Sequence, residues 1–275
     1  MAGAATAGSV RDALGGAVDA LAAAGVEDPR LDAELLLGEA MGCGRAALAA
    51  DPDAGVPADA GRRFGEMVRR RLRREPVAYI LGRKGFRHIE PAVDRRVLIP
   101  RPETELLVEL ALELRPRTVL DVGTGSGAIA LAVADELPEC EVVATDTSTE
   151  ALKVAIANAE RLGLLERVRF EEGSIPEGED FDLTVANLPY IAEGDWASLQ
   201  PEVTRWEPRE ALLAGADGLD AIRGVIPQVR AGVLALEVGE GQAGAVATLL
   251  VRAGFDEIQT RPDLAGIERV VWGRR

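Results

Sequence analysis

From residue 116 onward, short apolar runs alternate with segments whose apolar residues recur at helical spacing, and few folds accommodate that rhythm. Strands are predicted at 118–122, 141–146, 167–171, 181–186 and 233–238. Helices are predicted at 128–136, at 149–162 from a cap at Thr147 or Ser148, and near 217–230 and 242–253. A strand that always returns through a helix builds a parallel sheet, wound with helices on both faces, whose ligands lie at the carboxyl ends of the strands. Two further strand patterns, 255–260 and 267–273, have no helix between them and must pair antiparallel. The expectation is an α/β chain with a doubly wound, mostly parallel seven-stranded sheet.

The preceding part reads differently. Val10, Leu14, Val18 and Leu21 recur at helix spacing until Gly25. Asp28-Pro29 offers an N-cap with proline at the first helical position, followed by Leu31, Leu35, Leu37 and Met41 up to Gly42. A short Ala-rich helix and a longer one over 57–74 complete a small bundle. From Gly85 to Pro100 the period drops to two (Phe86, His88, Val93, Val97, Ile99), which predicts a β-hairpin turning near Glu90-Pro91. The domains expected are 1–80 helical, 81–100 a hairpin linker, and 101–275 the wound sheet.

Charge excludes some partners. Residues 1–115 hold 17 Lys+Arg against 18 Asp+Glu, whereas residues 116–275 hold 14 against 28. So acidic a sheet domain repels a phosphate backbone, and no direct nucleic-acid partner is expected. The run Arg69-Arg70-Arg71-Leu72-Arg73-Arg74 is the exception, read as a solvated helix face. Cys43 and Cys140 match no metal spacing and read as small buried apolar residues. With a single histidine, His88, a histidine metal cluster is ruled out, and no metal is expected. Neither a signal sequence nor an apolar run of membrane-spanning length is evident, so the expectation is a cytoplasmic monomer with no membrane partner.

Two motifs carry chemistry. The first predicted strand runs into Asp121-Val122-Gly123-Thr124-Gly125-Ser126-Gly127, a loop whose glycines let the backbone approach a ligand at a helix N-terminus. The second ends in Asp146, a carboxylate able to accept hydrogen bonds from both hydroxyls of a ribose. Taken alone, these point to an adenosine-containing cofactor, dinucleotide or S-adenosylmethionine. The strand at 181–186 runs into Asn187-Leu188-Pro189-Tyr190. Methyl transfer from a sulfonium places positive charge on the attacking nitrogen, and carbonyl dipoles aimed at that nitrogen's hydrogens stabilise it. The Asn187 side-chain oxygen and a backbone carbonyl of the Leu188-Pro189 turn can supply two such acceptors. Pro189 restricts its own φ and that of Leu188, and Tyr190 can lie against a flat amide or base. Hydride transfer needs none of this, so methyl transfer to a planar –NH2 group is favoured.

The chain resembles the peptide chain release factor glutamine methyltransferases. The resemblance is carried by Glu75-Pro76-Val77-Ala78-Tyr79-Ile80-Leu81-Gly82, by Val97-Leu98-Ile99-Pro100-Arg101-Pro102-Glu103-Thr104-Glu105, by the glycine loop, by the stretch from Glu207 to Arg223, and by Asp263-Leu264-Ala265-Gly266. It implies a Rossmann-like class I methyltransferase that uses S-adenosylmethionine to methylate the Gln amide of the Gly-Gly-Gln motif in release factors. A whole folded protein needs a second contact surface, and the helical domain, which the sheet's own core does not require, is expected to dock it. On that resemblance, Gly123, Thr124, Gly125, Ser126, Gly127, Asp146, Ser174 and Asn187 bind the cofactor. Asn187, Leu188, Pro189 and Tyr190 bind the amide; Arg101 and Glu103 order the mouth of the site. The chain departs from the family pattern twice. Leu188 stands where the turn usually has a second proline, and the loop at Gly173-Ser174-Ile175 looks shorter than usual and lacks the acidic–aromatic pair. The alternatives are a ribosomal-protein glutamine methyltransferase and an rRNA adenine-N6 methyltransferase, whose turn is spelled the same way as this one.

Overall fold

The computed structural model describes residues 6–275. They divide into two compact units: one runs up to Gly82 and includes Pro201–Trp206, and the other comprises Arg83–Gln200 and Glu207–Arg275.

In the first unit, strand β1 (Thr6–Ser9) pairs antiparallel with β2 (Gly55–Pro57). Around this small ribbon pack helices α1 (Val10–Ala23), α2 (Pro29–Met41), α3 (Arg45–Ala50), α4 (Ala58–Leu72) and α5 (Val77–Leu81). The Ser9 hydroxyl accepts from the Asp12 amide while the Asp12 side chain reaches back, a capping box that starts α1. Leu14, Leu21, Leu36, Leu37 and Phe64 fill the core. Pro29 opens α2 as expected, but the Asp28 side chain makes no capping bond. The arginine run on α4 is not simply a solvated face. Arg71 is buried, with Nε 2.6 Å from Asp32 and Nη1 2.6 Å from Glu202. Arg74 pairs with the same Glu202 at 2.6 Å, and Arg70 with Glu75 at 2.7 Å. Glu202 lies on α9 (Pro201–Trp206), far along the chain, so local charge counting could not find it.

In the second unit, the segment before the sheet falls short of the expected hairpin. It forms only isolated bridges, Arg83 with Ala92 and Phe86 with Ile89. Its tight turn is at Arg87-His88, where Arg87 has φ 52°, rather than at Glu90-Pro91. Pro91 and Pro100 lack the N–H that a continuous ladder needs. Helix α6 (Glu105–Leu114) then leads into the sheet.

The sheet has seven strands: β3 (Thr118–Val122), β4 (Glu141–Asp146), β5 (Val168–Glu172), β6 (Phe181–Ala186), β7 (Ala231–Glu237), β8 (Asp256–Pro262) and β9 (Glu268–Arg274). Their order is β5-β4-β3-β6-β7-β9-β8. The first five are parallel, and β9 runs antiparallel to both β7 and β8. Alternate strand residues serve opposite faces. Val119, Leu183 and Ala235 pack against α6 and α7 (Ala128–Glu136), together with Ala159 of α8 (Thr149–Leu162). Leu120, Ala186 and Leu234 pack against α10 (Asp220–Val225) and α11 (Ala243–Arg252). Both faces are covered, which is why the parallel strands read as near-continuous apolar runs. The predicted helix near 217–230 is shorter, since Pro227 sits in a single 3-10 turn after α10. Cys140 is buried, and burial pushes its thiol up to about 11, as for a small core residue; Cys43 is half-buried.

Chain order reverses at β3: β4 and β5 lie on one side of it, β6 and β7 on the other. Such a switch point leaves a crevice outside the carboxyl ends of the strands.

Candidate active site

The crevice is a cleft of about 310 Å³. Gly123, Gly125, Asp146, Ser174, Asn187, Leu188 and Pro189 line it, with Leu98, Pro208 and Val225 among the other walls.

The loop after β3 adopts its shape because it holds glycines. Gly123, Gly125 and Gly127 have φ of 73°, 57° and 83°, a region side chains rarely enter. A Cβ on Gly127 would also come within 2.9 Å of Leu131 and 3.3 Å of Ala155, so the loop packs tightly onto α7 and α8. The Gly123 and Thr124 amides both donate to the Thr145 carbonyl at 2.9 Å. The side chains of Thr124 and Ser126 are buried away from the cleft. Thr124 Oγ1 donates to Asp121 at 2.6 Å, and Asn158 Nδ2 donates to the Ser126 carbonyl at 2.9 Å.

Asp146 ends β4 half-buried. Its Oδ2 accepts the Gly125 amide at 2.9 Å and its Oδ1 the Ser148 amide at 2.8 Å. Each oxygen keeps a second lone pair for a ligand hydroxyl. Ser148 caps α8, its Oγ accepting from Ala151.

Asp121 escaped the sequence reading. It is wholly buried, and Oδ2 accepts both Thr124 Oγ1 and the Ala130 amide, closing the first turn of α7. Oδ1 has no hydrogen-bond partner among the described residues. Burial pushes this carboxyl up to about 7.

At the end of β6, the Asn187 Nδ2 donates to Thr104 Oγ1 at 3.0 Å. In a planar carboxamide this leaves Oδ1 as the acceptor offered on the other side. Leu188 is buried, and a Cβ on Gly123 would touch its Cδ2 at 3.4 Å. Losing one proline restriction costs about 0.4–1 kcal/mol of preorganisation, whereas burying a leucine side chain contributes about 1.5–3 kcal/mol, so this spelling of the turn remains well held. Tyr190 does not line the cleft. Its Oη points to Glu237 Oε1 at 3.4 Å, and burial, with the Glu237 charge adding to it, raises its pKa.

Arg101 and Glu103 do not pair with each other. Arg101 Nη2 donates to Glu207, whose other oxygen accepts the Ile99 amide at 3.1 Å. Glu207 is buried, so it staples 97–101 to the stretch that begins at Pro208. His88 is exposed at its turn, 3.7 Å from Glu136. No cluster of acidic, histidine and cysteine side chains among the described residues could hold a metal. No helix among the described residues is long and apolar enough to cross a membrane.

Glycines that permit close approach, a half-buried carboxylate with spare lone pairs, and an Asn oxygen offered beside them fit an adenosine-bearing methyl donor with an amide next to it. Known proteins point the same way. Residues 12–82 match the model of the PrmC N-terminal domain, and residues 116–212 match a methyltransferase domain model. The release factor glutamine methyltransferase of Xylella fastidiosa (strain Temecula1) is 46% identical over 92% of this chain and 96% of its own length. That of Geobacter sulfurreducens is 44% identical over 92% of both, and that of Koribacter versatilis 40% identical over 97% and 99%. Among solved structures, the hMettl16 catalytic domain in complex with a MAT2A 3'UTR hairpin superimposes with a TM-score of 0.56 at 16% identity, covering 67% of this chain and 74% of that one. That likeness is one of fold alone. Identity of this order along nearly the whole chain, with both domain models in place, means that the chain belongs to the release factor glutamine methyltransferase family, which uses S-adenosylmethionine.

Proposed function

We propose that this chain methylates the side-chain amide nitrogen of Gln in the Gly-Gly-Gln motif of peptide chain release factors. The observation that carries the reading is the tethered Asn187: its Nδ2 is engaged by Thr104, and its oxygen is left beside the glycine-loop cleft. When bound, S-adenosylmethionine supplies an electrophilic methyl group. Gly123, Gly125 and Gly127 admit its chain and nucleoside, Asp146 accepts the ribose hydroxyls, and Ser174 lines the adenine end. Thr124 and Ser126 contribute by holding the loop's shape.

The substrate amide is gripped by the turn. Asn187 Oδ1 and a carbonyl of Leu188-Pro189 accept its two N–H bonds, which turns the nitrogen lone pair toward the methyl and stabilises the positive charge as the new bond forms. The nitrogen would form its bond to the methyl carbon as the methyl–sulfur bond breaks, the sulfur leaving as a neutral thioether, and the proton that the nitrogen then gives up would pass to solvent. Tyr190, held by Glu237 rather than lining the cleft, anchors the far end of the turn, while Arg101, locked by Glu207, and Glu103 order the mouth. Residues 1–80 dock the release factor. The glycine loop, Asp146 and the turn all belong to one unit, and the reading includes a monomer acting in the cytoplasm, where its release factor substrate works.

The cofactor assignment has its own test. Charge-assisted hydrogen bonds are worth about 1.5–3 kcal/mol, so Asp146→Ala is expected to weaken S-adenosylmethionine binding at least about tenfold in calorimetry. Unchanged affinity removes Asp146 from the site.

Substrate class is tested by competition. Purified release factor and ribosomal RNA are offered together with labelled cofactor, and both are then analysed by mass spectrometry. Methylated Gln with unmodified RNA is expected, because an RNA substrate needs a positive surface around the cleft, and residues 116–275 carry 28 acidic against 14 basic groups. Methyl-adenine with unmodified Gln overturns the reading.

A further inference from the structure

Strand β7 ends in Glu237, next to the turn, because Ala186 and Leu236 are partners in the sheet. The Glu237 side chain is 1% exposed, and one carboxyl oxygen, Oε2, has no hydrogen-bond partner among the described residues. A buried carboxyl left partly unsatisfied opposes folding, so this site carries a carboxyl that stability alone does not explain.

Its surroundings are the two ends of the turn. Tyr190 Oη donates to Oε1 at 3.4 Å. The Thr104 hydroxyl faces the same carboxyl and lowers its pKa, while Thr104 Oγ1 accepts from Asn187 Nδ2 at 3.0 Å. The loop after β7 clamps the main chain of Tyr190 as well. Gln242 Nε2 donates to the Tyr190 carbonyl at 2.9 Å, and Gln242 Oε1 accepts the Gly239 amide at 2.9 Å. At Gly218, which has φ 75°, a Cβ would lie 2.2 Å from that carbonyl. The charges facing the pair are few. Glu103, just before α6, faces Glu237. Arg269 of β9, held at 2.9 Å by Asp263, faces both, and Arg101 faces Tyr190. The Asp263-Leu264-Ala265-Gly266 motif thereby gains a structural role, since its aspartate fixes Arg269.

We propose that Glu237 is a positioning residue for methyl transfer, its carboxylate holding Tyr190 directly and Asn187 through Thr104, so that turnover requires the ionised form. The proposal rests on the reading of residues 187–190 as the amide grip.

The pH dependence has a definite sign. Burial, reinforced by Glu103, pushes this carboxyl up to about 7, against the opposing pull of Thr104, Tyr190 and Arg269. Above that pH the carboxylate accepts from the Tyr190 hydroxyl and presents its full charge to the Thr104 hydroxyl that faces it. Below it the carboxyl is neutral, the charge-assisted bond from Tyr190 weakens, and the hold on both ends of the turn loosens.

The test is the pH profile of kcat for the full chain with cofactor and release factor saturating. The unaltered protein is expected to lose activity about tenfold per pH unit below an inflection near 7. Glu237→Gln, which keeps the shape, should lower kcat about 10–100-fold, leave the cofactor KM within about twofold and abolish the inflection. Glu237→Asp should keep an inflection. Asp121 titrates in the same range, but it faces the glycine loop; an inflection of its making would persist in the Gln variant. Calorimetric cofactor binding reports whether the variant folds, and if it does not, the unaltered protein's profile decides. No inflection between about pH 6 and 8 in the unaltered protein, or full activity or a persisting inflection in the Gln variant, overturns the proposal. Asn187→Ala assayed alongside separates the two readings. If it keeps full activity, the turn is not the grip; if it fails while the Gln variant does not, only the role of Glu237 falls.

Discussion

Asn187→Ala is expected to lower turnover on the order of 10²–10³-fold, the loss that follows removal of one preorganised dipole from a developing charge. The argument depends on which atom of the side chain remains available. Nδ2 is committed to Thr104 Oγ1 at 3.0 Å, so the oxygen is presented without any rearrangement when substrate arrives. Alanine removes both the acceptor and its tether. A neutral amide nitrogen is a poor nucleophile, and an asparagine cannot act as a base, so orientation and charge stabilisation are what this residue can supply. Asn187→Asp separates these roles. A carboxylate could take up a proton, but it cannot donate to Thr104, and it adds a negative charge near Glu237. The aspartate variant should therefore also be poor. Single-turnover rates at saturating cofactor and release factor measure both variants, and full activity in the aspartate variant contradicts the positioning role.

The sheet was legible because its physics is local. Parallel strands covered on both faces are apolar almost throughout, and the glycine loop and the Asn-Leu-Pro-Tyr turn fall where such strands end, as the structure places them. What escaped the sequence depends on neighbours distant along the chain. Nothing in the sequence around Glu237 places its carboxyl against the turn; that follows only from β7 lying beside β6. Thr104 gains its meaning only from Asn187, 83 positions later, and Arg101 takes Glu207 as partner rather than the nearby Glu103. Asp121 belongs to the glycine motif, yet nothing in the spelling says that its carboxyl caps α7 and has an oxygen without a partner. The hairpin expected over 85–100 failed for a related reason. Period-two apolar spacing records alternate burial, and Phe86, Val93, Val97 and Ile99 are indeed buried, but alternate burial does not require a ladder of hydrogen bonds.

Removing the helical unit is expected to abolish most activity on a folded release factor while sparing the chemistry. The sheet domain has its own core on both faces, and the whole glycine-loop cleft belongs to it, so cofactor binding does not draw on residues before Arg83. A folded protein substrate offers far more surface than one glutamine side chain, and contacts remote from the reacting atoms contribute to kcat/KM through orientation as much as through affinity. A chain beginning at Arg83 should accordingly lose about 100-fold in kcat/KM on the release factor, the share expected of a second docking surface. The same truncated chain should methylate a short Gly-Gly-Gln peptide within about threefold of the full chain, since the peptide reaches only the turn. Glu202 is replaced by Gln in both proteins, because α9 packs with the helical unit and would otherwise leave a carboxylate without Arg71 and Arg74. Cofactor affinity by calorimetry checks that the shortened chain has folded. Equal kcat/KM on the release factor with and without the helices would refute docking. Parallel losses on factor and peptide would instead assign the helices to the upkeep of the catalytic fold.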